Sequence, residues 1–193
     1  MTTRLLILIA CVGCGSGGEP STPDSGSNPP PPDMAPPPDD PPAVCSPADP
    51  SSCAGETICI GTTCEPAFNR IYTFGQISIT VAAKNQGGGD WDPLGGQPDP
   101  QVAVKLNGTQ VLATGHKDNV FTAAFTESTD QQIVGGSKLE LDMSDDDGIG
   151  DDHIFGCTHD PITADDLRQA VIQCDGSGTE AGSQIVIHIN VKG

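Results

Sequence analysis

The segment from Leu139 to Gly156 combines a strand pattern with a dense run of carboxylates, and it constrains the fold more than any other feature. Leu139, Leu141 and Met143 alternate with polar residues, which predicts a strand with one buried and one solvated face. Five aspartates follow within eight residues, at positions 145, 146, 147, 151 and 152. Two unit charges about 4 Å apart repel by roughly 4 kcal/mol at an effective dielectric constant of about 20. A compact loop of this composition therefore requires either full hydration or a bound cation.

Oxygen-only clusters of this kind suit calcium, which takes about six to eight oxygen ligands from carboxylates, backbone carbonyls and water. Because alternate side chains of an extended segment point the same way, we expect Asp145 and Asp147 to converge while Asp146 points aside. An EF-hand is a poor fit, because placing Gly148 at its invariant glycine would put Met143 first and Ile154 last. Calcium binding is the first hypothesis, and a solvated acidic turn without metal is its alternative.

The overall charge excludes other classes of partner. The chain has 193 residues, with 8 lysines and arginines against 26 acidic residues and a formal charge of −18. Nucleic acid requires a basic surface, so it is not expected as a partner, and unaided adsorption to anionic lipid is disfavoured as well. No nucleophile elbow or phosphate-binding glycine loop is visible, so the chain is predicted not to be an enzyme. The sequence contains no indication of oligomeric state.

The N-terminal region reads as an export signal followed by a tether. Residues 1–13 are predicted to be a lipoprotein signal peptide, whose apolar run is too short to cross a bilayer. Leu8-Ile-Ala-Cys11 resembles the bacterial lipobox, and Cys14 is a second candidate for the lipidated cysteine. Residues 14–44 are rich in proline, glycine and serine and predict a disordered linker. The expected location is the bacterial cell envelope, with the outer membrane as the anchoring surface.

Six further cysteines predict disulfides. Residues 45–66 contain four of them, Cys45, Cys53, Cys59 and Cys64, which predict a small module with two disulfides whose connectivity the sequence leaves open. Cys157 and Cys174 flank a predicted helical segment and form the expected third pair. His153, Cys157 and His159 also suggest a zinc site, but the expected disulfide partner of Cys157 disfavours that interpretation.

The rest of the chain predicts an all-β domain over residues 69–193. Predicted strands cover residues 71–83, 101–106, 109–114, 120–125, 132–134, 138–144 and 184–192, separated by glycine-rich turns as in a sandwich. One helix is predicted from Thr163 to Val171. Thr163 is its expected N-cap, and Asp166 completes an arrangement like a capping box.

A second acidic loop extends the pattern to a family resemblance. Asp92, followed by Pro98-Asp99-Pro-Gln-Val102, comes after the first long strand. Together with Asp145-Asp-Asp147 and Asp151-Asp152, these residues resemble the two calcium loops of the C2 domain, a calcium-dependent phospholipid-binding β-sandwich. Ala113-Thr114 and Ala124-Phe125-Thr-Glu127 lie at the spacing of two further family segments. The resemblance implies an eight-stranded antiparallel C2-like β-sandwich.

The same resemblance implies a set of metal ligands and a function. The implied side-chain ligands of Ca²⁺ are Asp92, Asp99, Asp145, Asp147 and Asp152, with Asp151 as the alternative to Asp152. The sequence departs from the family at several points: the spacing from Asp92 to Asp99 is one residue longer, Gln101 replaces a tyrosine, and the last loop aspartate falls one residue early. The expected function is a non-enzymatic envelope lipoprotein that binds calcium, with phospholipid or a surface polymer as its ligand. The alternative is a metal-independent structural or adhesion domain that the lipid anchor displays at the membrane.

Overall fold

The computed structural model describes residues 44–91, 96–147 and 151–192. They belong to a compact unit that spans Asp40–Gly193, and the other unit of the chain is Met1–Asp39. The predicted signal peptide, both candidate lipidation sites (Cys11 and Cys14) and the linker up to residue 43 lie outside the described residues. Within the described ranges, no helix has both the length and the apolar character needed to cross a membrane.

The described residues form ten strands, one α-helix and two short 3-10 helices. The strands are β1 (Thr57–Ile60), β2 (Thr63–Pro66), β3 (Arg70–Thr80), β4 (Pro100–Leu106), β5 (Thr109–Ala113), β6 (Thr122–Ile133), β7 (Leu139–Asp146), β8 (Asp151–His159), β9 (Val171–Asp175) and β10 (Gln184–Val191). The α-helix is α1 (Ala164–Gln169), and the 3-10 helices are Pro50–Ser52 and Gly178–Glu180.

Eight of these strands build two antiparallel sheets of four. One sheet has the strand order β6-β3-β10-β9, and the other has the order β5-β4-β7-β8. Side chains from both sheets belong to one hydrophobic cluster, so the sheets enclose a common core. The predicted eight-stranded antiparallel β-sandwich is confirmed.

The core follows the period-two pattern of the sequence. Buried and partly exposed side chains alternate along β4 and β7, as a strand with one face toward the core requires. Leu139, Leu141 and Met143 are fully buried, as their alternation predicted. The same alternation continues for one further step and places Asp145 on the buried face.

Strand boundaries differ from the prediction where hydrophobicity is a weak signal. β6 is one strand of twelve residues, although the sequence predicted two short strands separated by polar residues. It pairs with β3 from Arg70 opposite Ile133 to Thr80 opposite Thr122, with an irregularity between Gly75 and Ile77. Because it is an edge strand with a largely exposed surface, backbone hydrogen bonds define it more than burial does.

β8 and β9 were not among the strands that periodicity predicted. The acidic start of β8 resembles a loop, although it pairs with β7 along its whole length. The predicted helix ended at Val171, whereas α1 ends at Gln169 because Ala170 is left-handed, with φ of 55°. Val171 therefore begins β9 instead. The capping box is confirmed, since Thr163 and Asp166 exchange both hydrogen bonds at the start of α1.

All six predicted disulfide cysteines are paired. Cys45 bonds to Cys59, and Cys53 bonds to Cys64, which settles the connectivity of the disulfide hairpin formed by β1 and β2. The hairpin contacts the sandwich through Ile58, which lies in the common core. The third bond, Cys157–Cys174, joins β8 to β9. Because β8 and β9 are edge strands of different sheets, this bond links the two layers of the sandwich.

Candidate metal centre

Strand pairing brings the predicted ligands from separate parts of the sequence to one end of the sandwich. Pro100 lies opposite Asp145 in the β4–β7 pair, so Asp99 is adjacent to the end of β7. Asp145 lies opposite Asp152 in the β7–β8 pair. We call this end the acidic edge and define it by its described aspartates: Asp99, Asp145, Asp146, Asp147, Asp151 and Asp152.

Asp145 is the centre of the acidic edge. Only 1% of its surface is exposed, because β7 directs it to the same face as Met143. Its Oδ1 accepts a hydrogen bond from the backbone N–H of Asp99 at 2.5 Å. Burial of a carboxylate requires compensation by hydrogen bonds or by positive charge. The hydrogen bond from Asp99 supplies part of this compensation and joins the start of β4 to the end of β7.

Asp99 extends the connection to a third segment. Its Oδ1 accepts a hydrogen bond from the backbone N–H of Asn119 at 2.5 Å, and its carbonyl oxygen accepts one from the N–H of Asp146 at 3.1 Å. Asn119 has a positive φ of 54°, a conformation that asparagine tolerates better than most residues. The carboxylates of Asp99 and Asp145 thus organise the loop that precedes β6 as well as the strand ends.

The remaining aspartates point in different directions. Asp146 faces away from Asp145, as the strand alternation predicted. Its Oδ2 lies 2.9 Å from Nδ1 of His116. Asp147 is exposed just beyond β7, and Asp152 is exposed near the start of β8. Asp151 accepts a hydrogen bond from Nε2 of Gln101 at 3.0 Å.

Two histidines add positive charge near the acidic edge when they are protonated. His116 contacts Asp146 and also lies 3.1 Å from Asp118. His153 lies 3.0 Å from Asp142 and 3.5 Å from Glu180. The position of His116 could not be predicted, since nothing in its local sequence pattern places it beside β7.

The chemistry of the donor set suits calcium, because every implied ligand offers carboxylate oxygens. Asp92 lies outside the described residues. Among the described aspartates, no three have oxygens that all lie within 4.8 Å of one another. A complete coordination shell therefore requires additional ligands, such as Asp92, backbone carbonyls and water, together with adjustment of the exposed Asp147 and Asp152.

The loop between β5 and β6 is fixed by Thr114 and Glu127, which belong to the two further segments that resemble the family. Thr114 is buried, and its Oγ1 accepts a hydrogen bond from the N–H of Val102 at 2.9 Å. The Glu127 carboxylate accepts hydrogen bonds from the N–H groups of Gly115 and Thr126 at 3.2 and 3.0 Å. Backbone hydrogen bonds, from Glu127 itself and then from Gly115, hold the pKa of the Glu127 carboxyl below its ordinary value.

Trp91 packs beneath the neighbouring loop. It is 6% exposed, and its indole Nε1 donates a hydrogen bond to the carbonyl of Ala82 at 2.8 Å. Asn85 organises the same loop, since its Oδ1 accepts hydrogen bonds from the N–H groups of Gly87 and Gly89. The indole therefore supports the segment that leads to Asp92.

Neither a protein-family model nor a curated relative matches the sequence. The chain is similar to solved structures of C2 domains. One, described as a C2 domain, has 15% identity and a TM-score of 0.47 over 63% of this chain and 97% of the other. A single C2 domain of a plant extended synaptotagmin 1 has 14% identity and a TM-score of 0.48 over 64% and 95%. A calcium-bound pair of C2 domains from extended synaptotagmin 2 has 12% identity and a TM-score of 0.48, over 64% of this chain and 45% of the other.

The C2 resemblance noted in the sequence thus reappears in the comparison of structures. Identities of 12–15% with TM-scores below 0.5 give no information about the metal, ligand or activity of this chain.

Proposed function

We propose that the acidic edge binds Ca²⁺ and that the chain is a non-enzymatic lipoprotein of the bacterial cell envelope. The observation that supports calcium binding most strongly is the burial of the Asp145 carboxylate at an edge that carries five other described aspartates. It lies beside Asp99 and opposite Asp152, and β7 ends at Asp146, directly before Asp147. Several carboxylates at the ends of neighbouring strands favour the binding of a cation, because charges of the same sign repel one another.

Five lysine and arginine side chains of the described residues pair with carboxylates outside the acidic edge. Arg70, Lys84, Lys138, Arg168 and Lys192 pair with Glu65, Asp90, Glu140, Asp165 and Asp130, respectively. None of those carboxylates belongs to the acidic edge. These five ion pairs are therefore separate from the proposed calcium site.

The proposed ligands are Asp92, Asp99, Asp145, Asp147 and Asp152, with backbone carbonyls and water completing the shell. When bound, the ion would neutralise carboxylates from both acidic loops. Extracellular calcium modules typically have Kd values of about 10⁻⁴ to 10⁻³ M. Such a site outside the cell would add stability or adhesion rather than respond to small changes in calcium.

Equilibrium unfolding of the purified protein, in chelator and in excess calcium, tests the proposal. At a calcium concentration 10 to 100 times the Kd, the free energy of unfolding should rise by about 1.4 to 2.7 kcal/mol. The Asp145→Asn/Asp147→Asn double variant should lose this increase. Asp142→Asn is the matched control, because Asp142 lies on the same strand but contacts His153. An unchanged stability of the original protein in calcium would contradict the proposal.

A metal-independent structural or adhesion domain is the second candidate function. It is favoured by the hydrogen bonds that the carboxylates of Asp99 and Asp145 accept from backbone N–H groups, since these hold the loops without metal. In that case calcium would leave the stability of every variant unchanged. The two functions are therefore separated by the same measurement.

Phospholipid and surface polymers are the ligands that we propose for the calcium-loaded domain. Co-sedimentation with anionic vesicles, in calcium and in chelator, distinguishes them. Binding to vesicles only in calcium would favour phospholipid, whereas absence of binding in both conditions would favour a polymer or protein ligand.

A further inference from the structure

The Cys157–Cys174 bond lies beside an imidazole at the end of the sandwich away from the acidic edge. His159 lies opposite Leu139 at the start of β7, whereas Asp151 lies opposite Asp146 at its end. Cys157 and His159 are two residues apart on β8, so their side chains leave the same face of the strand. Both lie close to Cys174 of β9.

Three ligand atoms meet at this place. Nε2 of His159 is 3.7 Å from Sγ of Cys174. The two sulfurs and one imidazole nitrogen all lie within 4.8 Å of one another. Thiolate sulfur and imidazole nitrogen are the ligands that zinc prefers in proteins. We propose that reduction of the Cys157–Cys174 bond converts this cluster into a Zn²⁺ site formed by Cys157, His159 and Cys174.

The other nitrogen of His159 faces a carboxylate that is held in place. Nδ1 lies 3.9 Å from Oδ1 of Asp166. The second oxygen of Asp166 accepts hydrogen bonds from the N–H and hydroxyl of Thr163, at 2.8 and 2.7 Å. Zinc-binding histidines usually direct their second nitrogen to such an acceptor, which fixes the tautomer and the ring orientation. We expect the distance from Nδ1 to Oδ1 to shorten to a hydrogen bond when Nε2 binds the metal, which makes Asp166 a positioning residue.

The conversion is balanced as a two-electron reduction followed by proton release. A dithiol reductant transfers two electrons and two protons to the Cys157–Cys174 bond and becomes a disulfide itself. Zn²⁺ then replaces the two thiol protons and binds both thiolates, which is why its affinity should fall in acid. A cavity lined by His159, Asp166 and Gln169 adjoins the imidazole of this cluster.

The required movement is small. With Zn–S bonds of about 2.3 Å in a tetrahedral site, the two sulfurs would stand about 3.8 Å apart. The Cα atoms of Cys157 and Cys174 are already 6.2 Å apart. Because both residues lie on edge strands, the sulfurs can separate without breaking the pairing of β7 with β8 or of β9 with β10.

The disulfide hairpin provides an internal comparison. Sulfurs of Cys45, Cys53 and Cys59 also lie within 4.8 Å of one another, but no imidazole belongs to that group. If sulfur alone were sufficient, reduction would create metal binding at both places. The proposal instead requires His159, and it is independent of calcium binding at the acidic edge.

Cobalt substitution of the purified protein tests this site. After reduction with a phosphine, one equivalent of Co²⁺ should produce the visible absorption of a tetrahedral thiolate site, and Zn²⁺ should displace it. His159→Ala should abolish the tetrahedral spectrum, whereas His188→Ala, on β10, should preserve it. The Cys45→Ser/Cys59→Ser variant should also preserve it. A spectrum that is the same in His159→Ala would overturn the proposal.

A second measurement applies even if reduction weakens the fold. Zn²⁺ should slow alkylation of Cys157 and Cys174 in the reduced protein, as measured by mass spectrometry of their peptides. Asp166→Asn should weaken zinc binding by about 10- to 100-fold, and Asp165→Asn, which removes the neighbouring charge, should not. Equal alkylation rates with and without zinc would also overturn the proposal.

Discussion

The two ends of the β7–β8 pair are closed by different chemistry. At the acidic edge, the strand ends are joined by hydrogen bonds from backbone N–H groups to carboxylates, with His116 beside Asp146. At the other end, Leu139 is completely buried, and the Cys157–Cys174 bond holds β8 to the second sheet. One end therefore depends on charge, and the other depends on a covalent bond.

This difference follows from where β7 leaves the core. Its buried face is apolar for three alternate positions and then becomes acidic at Asp145. Apolar packing can close the first part of the strand, but the last part needs hydrogen bonds or a cation. We therefore expect the acidic edge to respond to ions and the opposite end to respond to reductants.

Removal of the bond between the sheets should have the largest effect. The Cys157→Ser/Cys174→Ser double variant releases a loop with a sequence separation of 17 residues. Its free energy of unfolding should fall by about 3 kcal/mol, because the unfolded chain regains the corresponding freedom. Urea unfolding in chelator measures this loss. If the calcium-dependent increase in stability also disappeared, the two ends would not be independent.

Removal of a single acceptor at the acidic edge should have a smaller effect. In chelator, Asp145→Ala leaves the N–H of Asp99 without the oxygen that accepts its hydrogen bond, so stability should fall by about 1 to 3 kcal/mol. Asp145→Asn keeps a carbonyl oxygen at this position and should lose less. Urea unfolding of both variants gives the comparison, and a larger loss for asparagine than for alanine would contradict the role that we assign to Oδ1.

The sequence predicts the parts of this molecule that depend on local pattern. Alternation along β7, the capping box of α1 and the pairing of Cys157 with Cys174 are confirmed, and each joins residues at most 17 positions apart. The prediction of two strands in place of the polar edge strand β6 was wrong, because backbone pairing with β3 produces no hydrophobic pattern in the sequence.

The candidate site was predictable in composition but not in contacts. Extending the β7 alternation by one step would have placed Asp145 on the buried face. The hydrogen bond from Asn119 to Asp99 and the approach of His116 to Asp146 could not be predicted, because they join segments 20 and 30 residues apart. Those contacts between segments far apart in sequence determine which carboxylates hold the loops and which remain exposed.

Tyr72 provides the smallest and most local test of the end opposite the acidic edge. It is the only tyrosine of the chain, it is fully buried, and its hydroxyl donates a hydrogen bond to the carbonyl of Ala67, just beyond the disulfide hairpin. Burial raises the pKa of Tyr72 to about 12, against an opposing effect of Arg70. Because the folded pKa lies above the ordinary value of 10, this contribution to stability is complete below about pH 10 and is lost as the pH rises toward 12.

Tyr72→Phe should remove that alkaline dependence and cost about 1 kcal/mol at neutral pH through the lost hydrogen bond. Ultraviolet absorbance of the phenolate follows the titration directly, and ionisation near pH 10 in the folded protein would show that the hairpin does not seal this end of the core.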